Sequence, residues 1–137
     1  MTYGAHADTA HMRFGNEMRR SDLSATVWLN PPASYDGGEL VVHRGTRPVV
    51  IKGEPGSVVV YPSPPLHEVS PVRRGQRLVS ITFIESLIPD EYQRTQLYEL
   101  GEVAALEGFK MAWENRVRLD AARNNLLRLW SRSYLTN

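Results

Sequence analysis

Between Leu23 and Phe83 the apolar positions fall in short runs and alternations, each closed by glycine or proline, which is the pattern of short β-strands. "LSATVWLN" combines β-branched and aromatic residues and stops at Pro31-Pro32, which cannot extend a hydrogen-bonded ladder. In "SYDGGEL" the run Asp36-Gly37-Gly38 tolerates positive φ and predicts a tight turn feeding the strand "ELVVHR". "RPVVIKG", "GSVVVYP" and "QRLVSITFIES" follow at spacings that suit a sandwich or barrel. No pattern of helical length interrupts them, so an antiparallel all-β core is expected rather than alternating βαβ units.

The period changes at Pro89. "PDEYQRTQLYELGEVAAL" opens with Pro-Asp-Glu, suited to a first helical turn, and continues with apolar residues at helical spacing. "AARNNLLRLWSR" places Leu126, Leu127, Leu129 and Trp130 on overlapping faces of a second helix. Packing against the sheet is the role expected of both helices. The organisation predicted is a β core over residues 1–88, followed by a helical segment over residues 89–137 packed on that core.

A chain of 137 residues builds one hydrophobic core and little more. Sixteen basic against fifteen acidic residues leave a net charge of +1, which offers no field for nucleic acid or an anionic membrane. No apolar run approaches the roughly 20 residues that span a bilayer, and the polar start is not a signal peptide. Neither nucleic acid nor membrane is therefore expected as a partner. The absence of cysteine excludes disulfides, thiolate catalysis and Cys-ligated metal sites. It permits a reducing compartment, and a cytoplasmic location is expected.

The candidate chemistry lies near the start, in "YGAHADTAHM". His6 and Asp8 are two apart, so on an extended strand they point to the same side, either as a ligand pair or as a surface pair. His67 follows a proline-rich turn in "YPSPPLHEVSPVRRGQRLVSITFIES", where an antiparallel fold can return it to the first strand. Two imidazoles and one carboxylate with open positions form the facial triad of non-haem Fe(II) oxygenases. Arg77 starts the apolar strand "RLVSITF", and a guanidinium inside a barrel needs a partner. In such a site that partner is the distal carboxylate of 2-oxoglutarate.

Other residues admit two readings. Tyr3 either donates its hydroxyl to bound 2-oxoglutarate or packs in the core. For His11 and His43 a structural histidine is favoured over a ligand. Arg13, Arg19 and Arg20 read as a basic loop, solvated or covering a substrate entrance. Arg73 and Arg74 precede the turn at Gly75 and are expected outside the barrel, whereas Trp28 is expected in the core.

"YGAHAD", "DLSATVWLNPPASYDGGELVV", "GSVVVYPSPPLHEVSPVRRGQRLVSITFIES" and "NNLLRLW" together resemble the PKHD-type hydroxylases, Fe(II)- and 2-oxoglutarate-dependent dioxygenases related to prolyl 4-hydroxylases. The likeness runs over nearly the whole chain and keeps the order of elements; within it, "YDGGEL" carries no chemistry. It implies a mainly β fold, a double-stranded β-helix (jelly-roll) core followed by C-terminal α-helices. It also implies iron ligation by His6, Asp8 and His67, and 2-oxoglutarate held by Arg77 with Tyr3. The activity implied is hydroxylation of an unactivated C–H, with release of succinate and CO2, on a small-molecule or peptidyl substrate. Ascorbate is implied as the reductant that rescues oxidised iron. Two rivals keep the fold without the turnover: an inactive jelly-roll remnant, and a cupin-like metal-binding module.

The family normally carries a long region before its His-x-Asp strand, including the first strand of the jelly-roll. Almost none of it precedes His6, so an open sheet edge is expected. That edge is expected to pair with a second copy in a homodimer, or with a separately encoded N-terminal piece.

Overall fold

The computed structural model describes residues 3–131, with the side chain of Tyr3 outside the described part. The chain divides after Glu85 into two compact units. The first contains eleven strands: β1 (Tyr3–His6), β2 (His11–Phe14), β3 (Glu17–Arg20), β4 (Leu23–Trp28), β5 (Tyr35–Asp36), β6 (Leu40–Arg44), β7 (Arg47–Ile51), β8 (Val58–Pro62), β9 (His67–Val69), β10 (Arg74–Gly75) and β11 (Val79–Ile84). Two antiparallel sheets carry the fold, one in the order β1-β9-β6-β7 and the other β11-β4-β8. The chain passes between them repeatedly, from β1 across to β4, back to β6 and β7, across to β8, back to β9 and across to β11. That winding is the double-stranded β-helix, with mainly β content followed by helices.

The two sheets meet through Leu40 and Val42 of β6 and Tyr61 of β8, with Ile51 and Val59 packed against them. Alternation along β4 sends Ser24, Thr26 and Trp28 inward, and all three are almost wholly buried. The register Trp28↔Val79, Thr26↔Ile81 and Ser24↔Phe83 places the odd-numbered residues of β11 on the same inner face.

One segment departs from the sequence reading. The basic stretch read as a loop is a two-stranded hairpin, β2 against β3, with Met12↔Arg19 and Phe14↔Glu17 opposite one another. Both of its faces are largely exposed, so the sequence shows no apolar alternation to mark it as strand. Arg20 fixes its base, donating to Asp22 at 3.1 Å and pairing with Glu85 at 3.0 Å.

The second unit is a helical pair, α1 (Glu91–Glu107) and α2 (Trp113–Trp130). Asp90 caps α1 by accepting from the backbone N–H of Gln93 at 2.8 Å. From α2, Arg116 donates to the Ala104 carbonyl at 3.1 Å and Arg123 to the Leu97 carbonyl at 3.2 Å. These bonds lace the helices over the buried Leu97 and Ala104. The second helix starts at Trp113, well before the "AARNNLLRLWSR" segment that marked it in the sequence. Its early turns, "WENRVRLD", are too polar to show an apolar stripe. No described helix is long and apolar enough to cross a membrane.

Candidate metal centre

The sharpest consequence of the first sheet's register is the pairing His6↔His67, which sets an imidazole from β1 directly across from one on β9. Their ring centroids are 4.5 Å apart. Asp8, just beyond β1, turns its Oδ1 to within 3.7 Å of His6 Nε2 and 3.4 Å of His67 Nε2. One donor atom from each of the three residues lies within 4.8 Å of the others, a group able to hold a metal ion.

The remaining polar atoms of the three side chains are engaged elsewhere. His6 Nδ1 lies 2.8 Å from the Gly4 carbonyl and His67 Nδ1 lies 3.0 Å from the Pro65 carbonyl. A carbonyl only accepts, so each Nδ1 donates to its carbonyl and each Nε2 is the ring nitrogen turned toward Asp8 and able to ligate a metal. The other oxygen of Asp8, Oδ2, accepts from the hydroxyl of Ser24. Ser24 in turn lies 2.7 Å from Ser63 Oγ, which is 3.0 Å from Ser21 Oγ, and all three serines are buried. Because each hydroxyl owns one proton and Ser24 gives its own to Asp8, the chain of donors runs from Ser21 through Ser63 and Ser24 to the carboxylate. Two imidazole Nε2 atoms and one singly presented carboxylate oxygen suit a divalent iron, and this donor set fits that ion.

Around the group lies a cavity of about 670 Å³, walled in part by Met12, Thr26, Tyr61, Arg77 and Phe83. Arg77 reaches the cavity from the inner face beside β11. Its Nε is buried and has no hydrogen-bond partner. Burial pushes its guanidinium below its ordinary pKa, and the nearby Tyr35 and Tyr61 oppose this only in part. A half-buried guanidinium with an unpartnered Nε beside the cavity fits a carboxylate ligand. Tyr61 stands edge-on to His67, with ring centroids 5.2 Å apart. Burial raises the pKa of its hydroxyl, while a hydrogen bond with Thr26 works the other way.

A family model described as "2OG-Fe(II) oxygenase superfamily" matches residues 1–85. The chain belongs to the 2OG-Fe(II) oxygenase superfamily. It is 52% identical over 132 residues to a PKHD-type hydroxylase of Sphingopyxis alaskensis, a match covering 96% of this chain and 61% of that protein. To a PKHD-type hydroxylase of Teredinibacter turnerae it is 41% identical, over 95% of this chain and 59% of the relative. The chain thus spans about three fifths of the length of these curated relatives. A crystal structure of an oxidoreductase of the 2OG-Fe(II) oxygenase family from Burkholderia pseudomallei shares 30% identity at a TM-score of 0.48, over 61% of this chain and 37% of that one.

Set against the sequence reading, His6, Asp8 and His67 come together, and Arg77 shares their cavity. The backbone of Tyr3 pairs with Val69, while its side chain lies outside the described residues. His43 is exposed, 3.2 Å from Glu68, and takes no part in the group. His11 is an exposed residue of β2. Arg73 and Arg74 are exposed, and Arg74 pairs with Asp36 at 2.8 Å. The serines behind Asp8 and the surroundings of Arg77 carried no signal in the sequence. In "YDGGEL", set aside as without chemistry, Gly38 has φ +69 and abuts the site: a Cβ there would stand 3.0 Å from Arg77 Cδ and 3.0 Å from Tyr35 Cε2.

Proposed function

We propose that this chain is the catalytic part of an Fe(II)- and 2-oxoglutarate-dependent dioxygenase that hydroxylates an unactivated C–H of a small-molecule or peptidyl substrate. The observation that carries the proposal is the set of three donors within 4.8 Å of one another, sharing a cavity with Arg77, whose buried Nε has no hydrogen-bond partner. The PKHD-type names of the relatives support the hydroxylase reading.

With both groups bound, iron and 2-oxoglutarate supply dioxygen activation, in which the oxo acid is decarboxylated to succinate and CO2 and one oxygen atom enters the substrate C–H. The chain's own residues orient and enclose. His6 and His67 hold the metal through Nε2 in a tautomer set by the Gly4 and Pro65 carbonyls, and Asp8 adds one oxygen while Ser24 restrains the other. Arg77 takes the distal carboxylate of 2-oxoglutarate, and Tyr3 is proposed as a second hydroxyl donor to it. Met12, Thr26 and Phe83 line the cavity and limit water. Ascorbate as the rescuing reductant and a cytoplasmic setting belong to the same proposal. So does a strand pairing at the edge of β11, from a second copy or from a separate N-terminal segment.

Anaerobic titration of the 137-residue chain with Fe(II) and 2-oxoglutarate tests this reading. A visible charge-transfer band is expected in the wild type and absent in Asp8→Ala. Succinate release in air is expected to follow the band. Metal binding without the band or succinate favours a metal-binding module without turnover.

A further inference from the structure

The wall of the cavity changes in chemistry from one part to another. Besides the ligands His6, Asp8 and His67, the one lining side chain among the described residues that carries a formal charge is Arg77. Elsewhere the wall includes an apolar stretch, made by Met12 of the hairpin with Ile81 and Phe83 of β11. Ile81 shares the inner face with Thr26, its partner in the register, yet Thr26 is 1% exposed and Ile81 55%. A large aliphatic side chain that lines a cavity and stays more than half exposed offers surface that an apolar occupant would cover.

The hairpin is fastened at the end of that wall. Arg20 and Arg19 reach Glu85, the residue after β11, at 3.0 Å and 3.5 Å, and the Asp22 N–H donates to the Ile84 carbonyl at 3.1 Å. Met12 stands directly opposite Arg19 in the hairpin register and so on the same face of it. Its flexible thioether adapts to what lies against it. The carboxylates on this side are already paired: Glu17 with Arg19, Glu85 with both arginines, and Asp22 with Arg20. Asp8 turns one oxygen to the imidazoles and gives the other to Ser24. A cationic group entering the cavity would lose its water with no uncommitted carboxylate on the wall to meet it. An anionic group would find only Arg77, which the reading above gives to 2-oxoglutarate.

We propose that the substrate brings to the metal an uncharged, apolar group, an aliphatic chain or ring, and that Met12 and Ile81 are specificity-determining residues that hold it. This rests on the dioxygenase reading above. Selection in such a slot comes mainly from excluding charge: an apolar pocket separates groups that differ by one methylene only weakly, whereas a charge stripped of water without a partner is strongly disfavoured.

The test uses the chain loaded with Mn(II) and 2-oxoglutarate, and three probes that share one ring: cyclopentanecarboxamide, cyclopentylammonium and cyclopentanecarboxylate. Paramagnetic broadening of the ring protons by nuclear magnetic resonance, referenced to the Zn(II)-loaded chain, reports entry beside the metal. The carboxamide is expected to enter, with the ammonium and the carboxylate weaker by about tenfold or more. Met12→Ala and Ile81→Ala are each expected to weaken the carboxamide by about three- to tenfold, and Met12→Leu to keep it. Mn(II) and 2-oxoglutarate affinities and the thermal midpoint are expected to hold in all three variants, since both side chains are partly exposed in the free chain. A wild type that admits the ammonium or the carboxylate as well as the carboxamide, or admits none of the three, overturns the proposal and leaves the dioxygenase reading intact. So does carboxamide binding that is unchanged in both alanine variants, or that falls only together with the thermal midpoint. A wild type that binds Mn(II) but not 2-oxoglutarate removes both.

Discussion

Asp8 offers one oxygen to the two imidazoles and commits the other to Ser24, and that division sets its value as a ligand. The donor chain from Ser21 through Ser63 and Ser24 is wholly internal, so each hydroxyl depends on the next for its partner. Ser24→Ala leaves Asp8 Oδ2 and the Ser63 proton without partners. Removing such a support costs about 10- to 100-fold in metal affinity in comparable sites, and an orphaned buried polar group costs about 1–3 kcal/mol of stability. Mn(II) titration followed by electron paramagnetic resonance, with a thermal melt, measures both losses; an unchanged Mn(II) affinity would show that the serine chain only fills space. The contrast with legibility is plain at this scale. His6, Asp8, His67 and Arg77 are found from sequence because imidazole, carboxylate and guanidinium in a strand demand an explanation. Ser24, in "LSATVW", demands none: its role comes from contacts with residues 16 and 39 positions away.

At the scale of elements, β4, β6, β7, β8 and β11 were readable because each is a short run rich in apolar and β-branched residues set off by glycine or proline, as in "LSATVWLN" before Pro31-Pro32. The β2–β3 hairpin was not, since neither face is buried. The short β5–β10 ladder was not either; it consists of Arg74↔Asp36 and Gly75↔Tyr35, and it ties the segment that leads to Arg77 to the segment that carries Tyr35. The turn after β5 depends on Gly37, which has φ +76 and runs against the opposing chain, where an added Cβ would stand 1.9 Å from the Pro71 carbonyl oxygen. Gly37→Ala therefore combines a left-handed backbone with a steric clash that only a backbone shift relieves. A destabilisation of about 2 kcal/mol or more is expected, read as a lower thermal midpoint. The turn leads into β6, which pairs with β9 in the sheet that carries His6 and His67, but the clash falls on Pro71, in the segment that leads to Arg77; 2-oxoglutarate affinity is therefore expected to fall more than Mn(II) affinity in the folded variant. Equal loss of both would mean that the turn supports the whole unit and not the Arg77 end alone.

Across the β unit, the two sheets are unequal: four strands face three, and β11 has β4 as its one strand neighbour among the described residues. The strand "VSITFI" contains no charge and no proline, the usual devices that keep an edge from pairing. Val58 at 57% and Val60 at 51% leave apolar surface exposed on the outer face of the same sheet. A strand of this kind lowers its free energy by adding a neighbour, and a second copy running antiparallel brings no like charges together along β11. Concentration-dependent dimerisation is therefore the outcome expected in sedimentation velocity. Thr82→Lys sets a charge on the outer face of the edge strand, opposite Ala25 and away from the cavity. It is expected to return the chain to a monomer without changing Mn(II) affinity. If the wild type stays monomeric at its highest soluble concentration, self-pairing of β11 is excluded. If Thr82→Lys dissociates the dimer and also weakens Mn(II) binding, the added strand is what stiffens the metal centre: the order of β1 and β9 then depends on completing the opposite sheet, and activity becomes a property of the assembled pair.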